Sequence, residues 1–251
     1  MCTFVILRRP KHCWPVIIAA NRDEMVNRPW RYPSRHWQNQ LNIVGGLDED
    51  AGGTWLAIND RGLISGILNR KTVLRAFTKK ASRGKIPLEA LGHSAALDAA
   101  NALCDLNPKD YNPFNLIIID ANNALWLRAA ENATEIEVKQ IPEGFSMITE
   151  QDLNDVEKSV RIKKYLPQFK DAKIPNPGQD DWQDWERILA DTSSNSSEEL
   201  AESIFVNNKT NFCTVSSSLL ALPIKSSRAY KPIWRFNSFL LNQSEYSHVL
   251  K

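Results

Sequence analysis

Short apolar runs separated by polar turns dominate this chain of 251 residues, a pattern typical of antiparallel strands joined as hairpins. Residues 3–7 and 15–20 are β-formers on either side of a polar, proline-containing connection, and they predict a first hairpin. Residues 54–58 and 63–68 flank the turn sequence NDRG and predict a second hairpin. Residues 114–130 predict a third, apolar enough to lie in a buried sheet.

Helical spacing of apolar positions appears in two places. Residues 86–106 carry leucines and alanines near helical intervals and begin close to Pro87, which suits a first turn. Residues 156–169 predict a second helix that ends at Pro167. The region near 170–205 mixes proline, acidic and serine-rich pieces, and it predicts a peripheral helical excursion whose tryptophans pack on the body of the protein.

The pattern returns to strand at residues 213–222 and 230–236. Several hairpins with helices between and after them predict an α+β fold, a layered sandwich of two antiparallel sheets covered by helices. We expect residues 1–251 to form a single domain.

Composition narrows the class of function. Hydrophobic residues make up 43% and charged residues 24%, and the net charge is +2, so a strongly basic nucleic-acid surface is not expected. We expect no transmembrane segment, because no apolar run approaches about 18 residues. The four histidines and four cysteines show no metal-ligand spacing, and scattered cysteines favour a reducing, cytoplasmic location.

The first hairpin predicts a polar site. Antiparallel pairing brings Cys2 beside Asn21, with Arg22, Asp23 and Glu24 just beyond. A guanidinium lowers the pKa of a nearby thiol, a carboxylate can hold an α-ammonium group, and an amide can donate to an oxyanion. The quartet could also be a solvated strand exit.

Cys2 directly follows the initiator methionine, which leaves two interpretations open. A free cysteine is often a small buried hydrophobe placed by chance. If Met1 is removed, however, Cys2 carries a thiol and a free α-amine on one residue, and the amine can serve as general base for the thiol.

A second polar cluster is predicted at the open end of the second hairpin. There Asn69 and Arg70 approach Gly52 and Gly53, whose backbone N–H groups could bind an anion. Asn69 is a candidate oxyanion donor if this end faces Cys2, and the alternative is a glycine-rich surface loop. Residues 70–85 hold seven basic residues and no acid, which indicates a solvated loop or a landing place for carboxylates or phosphates.

These segments occur in one order that resembles the NRDE family, also called the transport and Golgi organisation 2 family. The resemblance rests on Cys2, Asn21-Arg22-Asp23-Glu24, Gly45-Gly46, Gly52-Gly53-Thr54-Trp55, Asn69-Arg70, Ser82-Arg83-Gly84 and Phe114-Asn115-Leu116. It implies a fold like that of N-terminal nucleophile hydrolases, a four-layer αββα sandwich. The sequence departs from the family pattern at residues 212–216, where a glycine-threonine-arginine segment is more usual. The neighbouring cysteine amidohydrolases carry an arginine where this chain has Ala20.

The resemblance implies an intracellular carrier of haem or of an acyl-CoA-like ligand, with a hydrolase-like cleft around Cys2. Haem would be cargo, and no cofactor is required. The residues themselves favour the alternative of an N-terminal cysteine nucleophile amidohydrolase that cleaves a small acyl amide. A scaffold with an incidental Cys2 is a third possibility. The candidate catalytic residues are Cys2, Asn21, Arg22, Asp23 and Asn69, and the candidate ligand-binding residues are Glu24, Gly52, Gly53, Trp55 and Arg70.

Overall fold

A computed structural model describes residues 2–72, 80–193, 203–207, 211–227, 229–240 and 245–250. Residues 73–79, the middle of the basic stretch, lie outside this description. The chain separates into two compact units: unit 1 is residues 1–27 with 142–251, and unit 2 is residues 28–141. The single domain expected over residues 1–251 stays a prediction.

The described residues form two antiparallel sheets and four α-helices, which confirms the expected α+β class. The strands are β1 (Thr3–Arg8), β2 (Val16–Met25), β3 (Trp30–Ser34), β4 (Ile43–Asp48), β5 (Leu56–Asn59), β6 (Ile64–Asn69), β7 (Phe114–Ile119), β8 (Ala124–Ala129), β9 (Glu137–Gln140), β10 (Gly144–Ile148), β11 (Phe212–Leu222), β12 (Ile233–Ser238) and β13 (Ser247–His248). The helices are α1 (Ile86–Ala90), α2 (Ala96–Leu103), α3 (Val160–Asp171) and α4 (Gln183–Leu189).

The sheet of unit 1 has the order β10-β1-β2-β11-β12-β13. The first hairpin forms as predicted, with Thr3 opposite Asn21, so Cys2 lies next to Arg22, one position from the expected partner. Strand β2 continues through the NRDE quartet to Met25 because β11 pairs with it there, Cys213 facing Glu24. The quartet is therefore part of a central strand and not a strand exit.

Helices α3 and α4 cover one face of this sheet. Strand residues of alternate positions point to that face and bury apolar side chains against the helices, as period-two alternation requires. The cluster includes Val5, Leu7, Ile17, Ala19, Leu219 and Ala221 from the strands, and Ile162, Tyr165, Phe169, Trp185 and Leu189 from the helices. Trp182 and Trp185 are fully buried in it, which confirms that the tryptophans of the 170–205 region pack on the body.

Helix α3 does not end at Pro167, so that prediction is wrong. The Ser159 hydroxyl caps its start by accepting from the Ile162 N–H, and the helix runs through Pro167 to Asp171. An internal proline is unfavourable because it removes one backbone hydrogen bond. The turn beyond it places Phe169 in the apolar cluster, fully buried, and that burial favours continuing the helix.

The sheet of unit 2 is a seven-stranded meander in chain order from β3 to β9, so the second and third predicted hairpins are confirmed. The single helix expected over 86–106 is two short helices, α1 and α2, joined at Gly92. Asn59 accounts for this break, because its side-chain amide donates to the carbonyls of Leu91 and His93 at 2.9 Å each. Both carbonyl groups therefore have a hydrogen-bond donor even though they do not belong to a continuous helix.

Among the residues that the structure describes, no helix is long and apolar enough to cross a membrane. Within the same described ranges, His, Cys, Asp and Glu side chains nowhere gather in threes as a metal site would require.

Candidate functional site

Cys2 is half-buried at the start of β1, and its thiol donates to the backbone carbonyl of Asp23 with an S···O distance of 3.6 Å. Burial raises the pKa of this thiol above its ordinary value, and the negative charge of Asp23 raises that pKa further. The positive charge of the amino terminus, the hydrogen bond to Asp23 and the positive charge of Arg22 lower this pKa but are outweighed. The expected lowering of the pKa by Arg22 is therefore outweighed, and the thiol is neutral near pH 7.

The carboxylate of Asp23 sits in a buried polar cluster. Its Oδ2 accepts from Arg161 Nη1 of α3 at 3.1 Å, and its Oδ1 accepts from the Thr214 hydroxyl of β11 at 2.6 Å. Arg161 Nη1 also donates to the Thr3 hydroxyl at 2.9 Å. The side chains of Arg161 and Asp23 are 1% and 0% exposed, so this is a fully buried ion pair. It ties α3 to the centre of the sheet.

Asn21 is bound on every polar atom of its side chain. Its Nδ2 donates to the carbonyls of Leu189 and Ile204 at 2.9 Å each, and its Oδ1 accepts from the Ser217 hydroxyl. An amide nitrogen carries two N–H donors, and both are engaged. In this geometry Asn21 fastens α4 and the segment after it to β2, and neither N–H is left for an oxyanion.

The NRDE quartet is thus divided between the two faces of the sheet. Asn21 and Asp23 bond to groups on the helix-covered face, whereas the alternation of side chains along a strand directs Arg22 to the other face, together with Cys2. Arg22 is 5% exposed, and its Nη2 lies 3.6 Å from Glu24 Oε2, two residues along the same face.

A β-bulge in β11 brings two hydroxyl side chains to the face on which Asn21 and Asp23 lie. Thr214 faces Asp23 and Ser217 faces Asn21, although the two hydroxyl residues are three positions apart and their partners only two. The register shifts between Thr214 and Ser216, which inserts one extra residue. Both hydroxyls consequently reach the helix-covered face. The hydroxyl-rich sequence of β11 was the available sign of this role, but sequence reasoning did not use it.

The remaining candidate residues belong to unit 2. Asn69 is exposed at the end of β6, and Arg70 follows it with Nη1 donating to Asn115 Oδ1 at 2.7 Å. Asn115 is fully buried in β7 and also accepts from the Trp126 indole at 3.1 Å. In the sequence, the single asparagine in the apolar run FNLIIID is the signal for this buried hydrogen-bond acceptor.

The glycine-rich segment of unit 2 is held by close backbone contacts. Gly52 has a φ of +66° and its carbonyl accepts from the Trp37 indole at 3.0 Å. A Cβ on Gly53 would lie 2.4 Å from the backbone of Gly84, so only glycine fits there. Gly52 and Gly53 thus have structural reasons to be glycine apart from any ligand.

Trp55 lies in a cluster of half-buried aromatic rings. Its ring meets Trp30 edge to face with centroids 5.7 Å apart, and Trp30 is 5.6 Å from Tyr32. A Cβ on Gly46 would fall 2.1 Å from the Trp55 ring, so any larger residue at this position would collide with the indole. The three rings, inclined to one another by 45° and 86°, form an aromatic cluster within unit 2.

This fold is the N-terminal nucleophile hydrolase fold, as comparison with solved structures shows. A Caenorhabditis elegans N-acylethanolamine-hydrolyzing acid amidase ortholog matches with a TM-score of 0.63 and 13% identity, over 91% of this chain and 96% of the other. A conjugated bile acid hydrolase from Clostridium perfringens gives 0.55 and 12% over 99% and 92%. Penicillin V acylase from Agrobacterium tumefaciens gives 0.55 and 12% over 95% and 83%. At such identities the likeness establishes the fold alone.

The chain belongs to the Transport and Golgi organisation 2 family, whose model matches residues 1–229. A Transport and Golgi organization 2 homolog from Mus musculus is 33% identical over 119 residues, which is 45% of this chain and 42% of the relative. The Homo sapiens homolog gives the same identity and coverage. The matched stretch therefore spans less than half of these curated relatives.

The burial and raised pKa of Cys2 predict that its thiol reacts slowly with alkylating reagents. Cys13 and Cys104 are exposed, whereas Cys2 is half-buried with a raised pKa. Because only the thiolate reacts, iodoacetamide at pH 7 should modify Cys2 more slowly than either exposed cysteine, and raising the pH should accelerate the Cys2 reaction. Peptide mass mapping of a time course measures this. Faster labelling of Cys2 than of Cys104 would contradict a neutral buried thiol. Cys104, which is exposed, serves as the reference.

Proposed function

We propose that this protein is an intracellular carrier that binds a small amphipathic ligand with an anionic end, either haem or an acyl-CoA-type thioester. The observation that carries the proposal is that the half-buried thiol of Cys2 and the buried guanidinium of Arg22 lie on one face of the unit 1 sheet. A neutral thiol is a weak nucleophile, so this arrangement suits binding better than turnover. A cytoplasmic location and the absence of a nucleic-acid partner belong to the same proposal.

Arg22 is suited to hold the anionic end of such a ligand. Its guanidinium is 5% exposed, and a largely desolvated guanidinium binds a carboxylate or phosphate through strong, charge-assisted hydrogen bonds. Glu24, at 3.6 Å and only partly buried, is a loose partner that an incoming anion could displace. Haem propionates and the phosphates of coenzyme A both have the required charge.

Unit 2 adds surfaces of the same character. The half-buried rings of Trp30, Tyr32 and Trp55 offer aromatic surface of the kind that apolar groups of a ligand favour. Arg70 is oriented by its hydrogen bond to buried Asn115 and supplies a further cation. In the carrier, Gly52, Gly53 and Asn69 shape the loop and strand end beside these groups.

An amidohydrolase is the second candidate, and the fold favours it. The three solved structures reported above are named as an amidase ortholog, a hydrolase and an acylase. In this reaction, removal of Met1 would expose the α-amine of Cys2, which would take the thiol proton as the sulfur attacks the amide carbonyl carbon. The same amine would pass that proton to the leaving amine as the C–N bond breaks, and water would then hydrolyse the thioester to release the acid and restore the thiol. Both N–H groups of Asn21 are engaged, so Asn21 would not supply the oxyanion donor of this reaction.

The carrier is tested by titrating the purified chain with hemin, followed by absorption, and with palmitoyl-CoA, followed by calorimetry. Replacing Arg22 by methionine should weaken binding about 10–100-fold, because a charge-assisted hydrogen bond to the ligand is lost. Arg187→Met is the matched control, since Arg187 is exposed on α4 and pairs only with its neighbour Asp184 in the described structure. The control should bind like the unmodified chain.

Cys2→Ser separates the two functions. In a carrier it leaves palmitoyl-CoA affinity unchanged, and the unmodified chain releases no product from a panel of acyl amides. Amide hydrolysis that disappears in Cys2→Ser would overturn the carrier and establish the amidohydrolase. Intact-mass measurement completes the test, because a retained Met1 blocks the α-amine and removes the self-activated mechanism but leaves binding possible.

A further inference from the structure

The turn that joins β1 to β2 brings a cysteine and a histidine into contact. Cys13 and His12 are both exposed there, and Cys13 Sγ lies 3.6 Å from His12 Nδ1. Cys2 stands at the opposite end of the same hairpin, because the six residues of β1 separate it from the turn. The proposed function uses neither Cys13 nor His12, so unit 1 carries a second thiol in a different chemical setting.

Backbone hydrogen bonds hold the turn in place. The Arg9 N–H donates to the Pro15 carbonyl at 2.7 Å, and the His12 N–H donates to the Arg9 carbonyl at 2.9 Å. The Cys13 carbonyl accepts from the Ile224 N–H at 2.9 Å, which ties the turn to the chain after β11. The backbone that carries the thiol and the imidazole is therefore fastened both within the hairpin and to a neighbouring segment.

The imidazole presents an unprotonated nitrogen to the sulfur. The Trp14 N–H donates to His12 Nδ1 at 3.0 Å, so this nitrogen carries the lone pair and the ring proton is on Nε2. Burial and the positive charge of Arg9 lower the pKa of His12 below its ordinary value, and the hydrogen bond with Trp14 raises that pKa less. The ring is mainly neutral at pH 7, and its Nδ1 can accept the proton of the Cys13 thiol.

The charges of the turn favour an anionic reagent. Residues 8–15 contain three lysine or arginine residues and no acidic residue. Arg9 has no ion-pair partner among the residues that the structure describes. Burial lowers the pKa of the Arg9 guanidinium, and a negative charge on Cys13 raises it. The guanidinium and the sulfur are therefore close enough to attract each other once the sulfur has lost its proton.

From these observations we infer that Cys13 is a reversible modification site that exchanges with low-molecular-weight disulfides carrying carboxylates. His12 Nδ1 takes the thiol proton, and the Cys13 sulfur attacks one sulfur of the disulfide. A new S–S bond forms on Cys13 as the S–S bond of the reagent breaks, and the departing thiolate receives the proton from His12. The products are a mixed disulfide and one free thiol, so the reagent itself is the oxidant. The site is independent of the proposed carrier function.

The test incubates the full chain with oxidised glutathione and follows mixed-disulfide formation at each cysteine by peptide mass mapping. Cys104 is the matched reference, because it is also exposed but has no hydrogen-bonded histidine among the residues that the structure describes. Cys13 should react about tenfold faster than Cys104, and dithiothreitol should restore its free thiol. Equal rates at the two cysteines of the unmodified chain overturn the proposal.

His12→Asn tests the base. The asparagine keeps an acceptor for the Trp14 N–H but has no basic nitrogen, so the Cys13 reaction should slow about tenfold or more. His248→Asn makes the same change at another exposed histidine of unit 1 and should leave the Cys13 rate unaltered. If Cys13 reacts as fast in His12→Asn as in His248→Asn, the imidazole is not the base and the proposal is wrong.

Cystamine, a disulfide with two ammonium groups, tests the charge of the reagent. The rate with oxidised glutathione divided by the rate with cystamine should be several-fold higher at Cys13 than at Cys104, because the basic turn attracts carboxylates. Added salt should reduce this difference. A ratio at Cys13 that is equal to or below the ratio at Cys104 rules out selection of carboxylate-bearing disulfides.

Discussion

Replacing Arg161 by methionine should lower the free energy of unfolding by about 3–5 kcal/mol, because it leaves the buried Asp23 carboxylate without its guanidinium partner. The two side chains are 3.1 Å apart and essentially inaccessible to water. The Thr3 hydroxyl loses the same donor. Methionine retains much of the aliphatic volume of arginine, so the expected loss comes mainly from the broken ion pair and not from a cavity.

Urea denaturation followed by circular dichroism measures this loss. Arg187→Met removes an exposed ion pair with Asp184 and should change the free energy of unfolding by less than about 1 kcal/mol. The double variant Arg161→Met with Asp23→Asn should be less destabilised than the sum of its single variants, since the removed charges were partners. If Arg161→Met costs no more than Arg187→Met, the buried pair does not hold α3 in place.

Replacing Asn21 by leucine should lower the free energy of unfolding by roughly 2–5 kcal/mol, because the carbonyls of Leu189 and Ile204 lose their common donor. The Ser217 hydroxyl loses its acceptor on Asn21 as well. The side chain sits at 1% exposure, so water cannot readily replace these bonds. The effect should include faster hydrogen exchange in α4, because Asn21 ties the end of that helix to β2.

Two further variants make the Asn21 prediction specific. Asn101→Leu repeats the chemical change on an exposed surface and should shift the free energy of unfolding by less than about 0.5 kcal/mol. Ser217→Ala removes only the hydroxyl on the acceptor side and should have an intermediate effect. Unchanged exchange rates in α4 of the Asn21→Leu variant would show that the two carbonyl contacts do not fasten the helix.

The hairpins could be predicted because their information is local. A turn sequence between two apolar runs specifies which residues face each other, and Thr3 indeed pairs with Asn21. The extension of β2 through the quartet could not be predicted in the same way. It depends on β11, nearly two hundred residues later in the chain, where Thr214 faces Asp23.

The closeness of Cys2 to the NRDE quartet was predictable from the first hairpin, but the charge balance around the thiol was not. Sequence reasoning placed Arg22 beside Cys2 and therefore expected a lowered thiol pKa. Burial and the carboxylate of Asp23 reverse that direction, and burial is a property of the assembled core that local sequence does not reveal. Arg161 was missed for a related reason: nothing in a helical run of mixed polarity distinguishes a buried arginine from a solvated one.

The division of the quartet between two faces of β2 gives adjacent residues separate tasks. Asn21 and Asp23 hold the helices to the sheet, whereas Arg22 and Glu24 lie on the face of β2 that also carries Cys2. A substitution in one pair therefore need not change the side-chain contacts of the other pair. Under the proposed carrier function, exchanging Arg22 for a neutral side chain would change which ligand charge is accepted while the hydrogen bonds of Asn21 to the carbonyls of Leu189 and Ile204 stay in place. Within these four consecutive residues, the structural side chains and the side chains on the face of Cys2 therefore alternate along the strand.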